Sequence, residues 1–147
     1  MAISRNKTRE NIITSIYDNI IYNKSNIEFD IIETLKNTFN VNSLEDIDMF
    51  TKEIYLSVYK NYEKIILDVS KYLVKWKFSR LNELAQALFL ECVSEVNFAK
   101  LTSKAIVINF AVDYAKTYLA YNDYKYINAV LDKVLIDNDT STFTIQE

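Results

Sequence analysis

The stretch Ser103–Lys133 reads SKAIVINFAVDYAKTYLAYNDYKYINAVLDK. In its first half Ile106, Phe110, Tyr114 and Tyr118 recur every fourth residue, with Val107, Ala111 and Ala115 beside them. Apolar residues at that spacing form one wide face of an α-helix, and Ser103 ahead of them is a suitable N-cap. In the second half Tyr126, Ile127, Val130, Leu131 and Val134 share a face in the same way. Between the halves, Leu119–Asp123 is a short polar hinge, so the two helices are expected to fold back as a hairpin. The hinge runs into Tyr124-Lys125-Tyr126, where aromatic and cationic groups meet at a helix N-terminus.

The composition around this hairpin points the same way. A chain of 147 residues, 50% of them hydrophobic, suits one domain with a real core. It has no Gly, no Pro and no His, where average usage would give about ten Gly and seven Pro. Without those turn residues, helices joined by short Asn-rich connections are favoured. The absences also exclude chemistry. No His removes Ser-His-Asp and Cys-His nucleophile systems and most zinc sites. No Gly removes phosphate-cradling loops. Cys92 stands alone and is expected to be a buried, inert thiol. Acidic pairs such as Asp30 with Glu33, or Asp46 with Asp48, read as solvated helix faces. No enzyme activity, metal or cofactor is therefore expected.

No segment reaches the roughly 18 apolar residues of a membrane span, and no signal-peptide pattern is present. A cytoplasmic protein is expected. The net charge of −3 means that any nucleic-acid site must be a local patch.

Taken in order, residues 1–11 carry Arg5, Lys7 and Arg9 against one acid, Glu10. A helix to about Tyr22 buries Ile12, Ile13, Ile16, Tyr17, Ile20 and Ile21. Cations at a helix start oppose the dipole, yet the same positive end suits a phosphate; the bland alternative is three solvated charges. A second helix, about 27–38, buries Ile27, Ile31, Ile32 and Leu35. Ser43-Leu44-Glu45-Asp46 resembles a capping box that starts a third helix, continuing through Ile47, Phe50, Ile54 and Val58. The pattern slips near Asn61, and a fourth helix carries Ile65, Ile66, Val69, Tyr72 and Leu73. Trp76 reads as a core or interhelix anchor. A fifth helix, about 82–97, buries Leu84, Leu88, Cys92 and Val96 with Ala85 and Phe89 alongside. Residues 137–147 read as a disordered tail. The expectation is an all-α, single compact domain of about seven helices over 1–136.

Several of these segments carry a resemblance. Ile108-Asn109-x-Ala111-Val112-x-x-Ala115-Lys116 and Lys125-Tyr126-Ile127-Asn128-x-Val130-Leu131-Asp132-Lys133 resemble the C-terminal signature of the NusB family. That signature reads roughly I-N-E-A-[VI]-E-[LI]-A-K, then K-F-[VI]-N-[GA]-[VI]-L-D-K. Arg5, Arg9-Glu10 and Ile16-Tyr17 fit the family's opening R-x-x-x-R-E-x(5)-L-Y, and Trp76, Arg80 and Leu81 are similar to its W-x(3)-R-L segment. Departures occur in the fifth helix. The family pattern E/D-x-x-[IV]-L-R-[IL]-A-x-x-E meets Ala85-Gln86-Ala87-Leu88-Phe89-Leu90-Glu91-Cys92-Val93-Ser94-Glu95 here, so the first acid becomes Ala85 and the arginine becomes Leu90, while Glu95 agrees. Phe110 replaces the glutamate of the I-N-E-A motif.

NusB proteins are small, all-helical, RNA-binding transcription antitermination factors. The resemblance implies a NusB-like helical bundle that binds boxA-type single-stranded RNA through Arg5, Lys7, Arg9, Tyr118, Asn122, Lys125 and Tyr126. It implies a partner, the small-subunit ribosomal protein NusE, facing Tyr17, Ala85 and Gln86. It further implies work within the RNA polymerase antitermination complex, supporting read-through in ribosomal RNA operons, and for some members a homodimer. On spacing alone, the favoured reading of Tyr118 and Tyr126 is as core aromatics with a wet hydroxyl. The alternative function is a protein-interaction or self-associating module of the same fold without specific RNA binding. A third reading, an accessory domain of an RNA methyltransferase, would need a catalytic domain beside it.

Overall fold

The computed structural model describes residues 3–137, so the expected tail, Asp137 apart, lies outside the described residues. Seven α-helices are found among them: α1 (Arg5–Lys24), α2 (Ile31–Phe39), α3 (Met49–Lys60), α4 (Tyr62–Ser70), α5 (Glu83–Val93), α6 (Lys104–Tyr118) and α7 (Asp123–Val134). Short 3-10 turns cover Leu44–Asp46 and Phe78–Arg80, and a π turn, Ser94–Phe98, extends α5. The all-α expectation and the helix count both hold.

Short polar side chains set the helix starts. Ser4, Asp30, Asp48 and Asn82 each accept a hydrogen bond from a backbone N–H in the first turn of α1, α2, α3 and α5, which satisfies donors the helix leaves orphaned. Ser103 occupies the N-cap position of α6, but its hydroxyl makes no capping bond. Asp30 places the start of α2 at Ile31 rather than at 27, leaving Ile27 53% exposed in the preceding loop. The Ser43 motif closes only a single 3-10 turn, and Asp48 begins α3 afresh. The expected break at Asn61 is present, while α4 ends at Ser70 and leaves Tyr72 exposed in a loop. With no Gly to take left-handed backbone, Asn26, Asn40, Lys100 and Asn122 take it; Asn is the residue after Gly that tolerates it best.

Helix α5 is the axis of the bundle. Every residue from Ala85 to Val96 is buried, including the polar Gln86, Glu91, Ser94 and Glu95, so this helix is enclosed on all sides and mostly apolar, as a central helix is. Helices α1, α3, α4, α6 and α7 all pack around it, α1 most extensively. The Ser94 hydroxyl donates to Ile54 O at 2.8 Å, tying the π turn to α3. Asn97 bonds Val134 O at 3.0 Å and the Ile136 N–H at 2.9 Å, pinning the end of α7.

The hairpin forms with α6 rotated from the expected face. Val107, Phe110, Ala111, Tyr114 and Ala115 are buried, while Ile106 and Tyr118 are exposed. A ladder of every fourth residue drifts by about 40° per step at 3.6 residues per turn. The two ends of a four-rung ladder therefore cannot share one face. Trp76 is also corrected: it is 62% exposed and anchors no core, lying in the loop between α4 and the Phe78–Arg80 turn, where Phe78 is the buried aromatic.

Candidate nucleic-acid interface

The α6–α7 hinge presents the polar and aromatic groups that the sequence placed there. Leu119 donates to Ala115 O, Asp123 to Ala120 O and Lys125 to Asn122 O, so backbone bonds close both ends of the turn. Asn122 sits at φ 72° and is exposed, as is Lys125. Tyr118 is 51% exposed, its ring 4.8 Å from Tyr114 and its hydroxyl 3.5 Å from Glu10 Oε1. Tyr126 is half-buried, tilted against Phe89 at 6.2 Å. Burial pushes the Tyr126 hydroxyl up to about 12, keeping it a donor at neutral pH. Nearby, Lys116 Nζ lies 4.8 Å from the Tyr124 ring.

The three N-terminal cations do not form one cluster. Positions 5 and 7 point in nearly opposite directions on a helix, since two residues span about 200°. Arg5 lies 3.9 Å above the Phe50 ring on the α3 side. Lys7 reaches Glu10 Oε1 at 3.8 Å and faces the groove that Tyr118 lines. Arg9 is removed from the RNA-contact set altogether. Its side chain has no exposed surface, and its Nε and Nη2 donate to both oxygens of Glu95 at 2.7–3.0 Å, with Nη1 donating to Asn6 at 2.8 Å. Thr102 donates to the same Glu95 carboxylate. A buried guanidinium so engaged is a structural charge, not a phosphate contact.

The partner surface is corrected as well. Ala85 is wholly buried, and Gln86 is 8% exposed with its amide donating to Leu81 O at 2.9 Å. Both face inward because α5 runs through the middle of the bundle. Of the three, Tyr17 is the one with substantial surface, in the groove shared by Lys7 and Tyr118. That groove, about 530 Å³, also holds Glu10, Asp18 and Glu83. One cation against three acids is no phosphate trough, although Glu83 is itself paired with Lys24.

One buried group escaped the sequence reasoning. Glu91 is wholly buried, with Glu95 and the Cys92 thiol as its polar neighbours. Burial, then the Glu95 charge, push its carboxyl well above the ordinary range, so it stays protonated. Glu95 goes the other way: burial opposes ionisation, but its hydrogen bonds and Arg9 outweigh that and lower it. An acid four residues before Glu95 in an otherwise apolar helix was the available signal. Cys92 is buried and its thiol is pushed well up by burial, as expected for an inert cysteine.

The model of the NusB family matches residues 6–135. The chain belongs to the NusB family. Among its relatives is the transcription antitermination protein NusB of Finegoldia magna, 31% identical over 137 residues that span 90% of this chain and 94% of that one. The protein of the same name from Clostridium perfringens is 29% identical, spanning 90% and 96%. A solved structure of T. maritima NusB superposes with a TM-score of 0.75 over 91% of this chain and 92% of that one; at 22% identity this likeness shows the fold. The NusB signature also gives meaning to the Arg9 pocket. Phe110 stands where the signature has glutamate, and its ring lies 5.7 Å from the Arg9 guanidinium. Glu91 stands where the NusB pattern has an aliphatic residue, close enough to Arg9 to feel its charge. An acid is missing from α6 and another is present on α5, facing the same arginine.

Proposed function

We propose that this NusB-family chain acts in transcription antitermination by holding boxA-type single-stranded RNA at the α6–α7 hinge, together with NusE and within the RNA polymerase complex. The observation that carries this reading is the hinge itself. Tyr118 is half exposed, Asn122 and Lys125 are open to solvent, and Lys7 lies across one groove. Tyr rings offer stacking faces to unstacked bases, Asn and Lys can bond base edges or phosphates, and the bulk of the bundle keeps them in place. Cytoplasmic action fits: no helix among the described residues is long and apolar enough to cross a membrane.

The three carboxylates of the Lys7 groove and the burial of Arg9 favour a second reading, a protein-interaction or self-associating module. One titration separates the two. Fluorescence anisotropy would follow a boxA-like oligonucleotide and a scrambled one, with and without NusE, at two salt concentrations. Tighter boxA binding that NusE enhances, and that weakens with salt by a slope of about 0.7 per neutralised phosphate, is expected. Equal affinity for both oligonucleotides with folded NusE present would leave the protein-interaction reading.

A further inference from the structure

On the other side of the hinge lies a second groove, about 480 Å³, between the 72–76 loop and α7. Its walls carry three aromatic rings, Tyr72 and Trp76 from the loop and Tyr126 from α7. Trp76 is 62% exposed and packs into no core, an unusual state for the largest apolar side chain. Around these rings stand Lys75, Arg80 and Lys133, against one acid, Asp123. None of the three cations has an ion-pair partner among the described residues. In a chain of net charge −3 this is a concentration that composition does not supply.

We propose that this groove is a second single-stranded RNA subsite, which stacks bases flanking the segment held at the hinge. The proposal rests on the RNA reading above and extends it. Interleaved rings and unpaired cations are what a strand of bases and phosphates requires, since every base has a face to stack and each phosphate a charge to meet. An apolar peptide would instead cover three cations without neutralising them. The groove is continuous with the hinge in two ways. Tyr126 belongs to both, and Asn82, the cap of α5, lines this groove and the Lys7–Tyr118 groove alike.

The chain's single tryptophan is Trp76, so its emission reports directly on this groove. The full chain is titrated with two RNAs, a boxA-length oligonucleotide and the same sequence extended by a few unpaired nucleotides on each side. Labelled-RNA anisotropy and Trp76 emission are read in parallel. The extended RNA is expected to bind about tenfold tighter and to quench Trp76. Trp76→Ala removes that length advantage while leaving boxA-length affinity and the unfolding midpoint unchanged, and Trp76→Phe keeps most of it. Arg80→Gln and Lys133→Gln each flatten the salt dependence for the extended RNA only. If boxA-length RNA binds but extension neither tightens binding nor quenches Trp76, the subsite is overturned and the hinge reading stands. If neither RNA binds, both fall. Quenching by NusE alone would make the groove a protein-docking face and overturn the proposal.

Discussion

Two settings of positive charge in this molecule, one interior and one at the surface, behave as opposites. Within the α1–α5 interface, Arg9 is locked onto Glu95 with no exposed surface. At the α6–α7 hinge, Lys125 is open to solvent and Tyr118 half open. The interior charge holds two helices together and is unavailable to any ligand; the hinge groups contribute little to the core and are free to bind. Charge type alone does not assign a role. What decides is the direction the side chain takes: Arg9 leaves α1 towards the buried Glu95, whereas Lys7 of the same helix and Lys125 of α7 face solvent.

Removing Arg9 should break the interior most severely. Arg9→Ala leaves Glu95 buried without its cation, which is expected to cost about 3–5 kcal/mol; urea unfolding measures it. A loss under about 1 kcal/mol would mean that the pair is not the lock described. At the hinge the pattern inverts. Tyr118→Ala and Lys125→Ala should leave stability within about 0.5 kcal/mol, yet Tyr118→Ala should weaken RNA binding by about 1–3 kcal/mol. Anisotropy together with unfolding curves on the same variants shows whether the two regions separate as expected.

The smallest and sharpest test lies in Glu91. Its folded pKa is raised by burial and by Glu95, so the unfolded chain ionises first as pH rises. Its favourable effect is complete below the ordinary glutamate value and is lost as pH climbs towards the folded one. Glu95, lowered in the fold, acts in the opposite direction in acid. Glu91→Gln cannot titrate, so it should exceed the natural chain in stability at pH 8 and converge with it near pH 4. Parallel pH–stability curves for the two proteins would contradict the assignment of a protonated Glu91.

How much of this was legible in the sequence follows from the range of the signals. The α6–α7 hairpin was, because its periodicity and hinge are local, and Asn122 and Lys125 emerge where the hinge placed them. The cap-driven errors were near misses: Asp30 starts α2 four residues beyond the expected 27, and Asp48 rather than Ser43 starts α3. Helix α5 is buried all round, so its apolar stripe, which set Ala85 inward, could not show that Gln86 is buried too; only the family resemblance turned both towards a partner. Arg9 was out of reach for another reason. Its partner Glu95 lies 86 positions away, and only the fold brings the two together.

The absence of glycine has a consequence beyond the turns themselves. Glycine widens the set of shapes that an unfolded chain can explore, and each one removed narrows it. The missing glycines alone lessen the disorder surrendered on folding, while the missing prolines, which would have stiffened the unfolded chain, act the other way. The cost is moved to a few positions of the folded state: Lys100, at φ 55°, holds a left-handed backbone with neither glycine's freedom nor asparagine's tolerance. Where another chain would spend a glycine, this one holds strain at the corners of its helices.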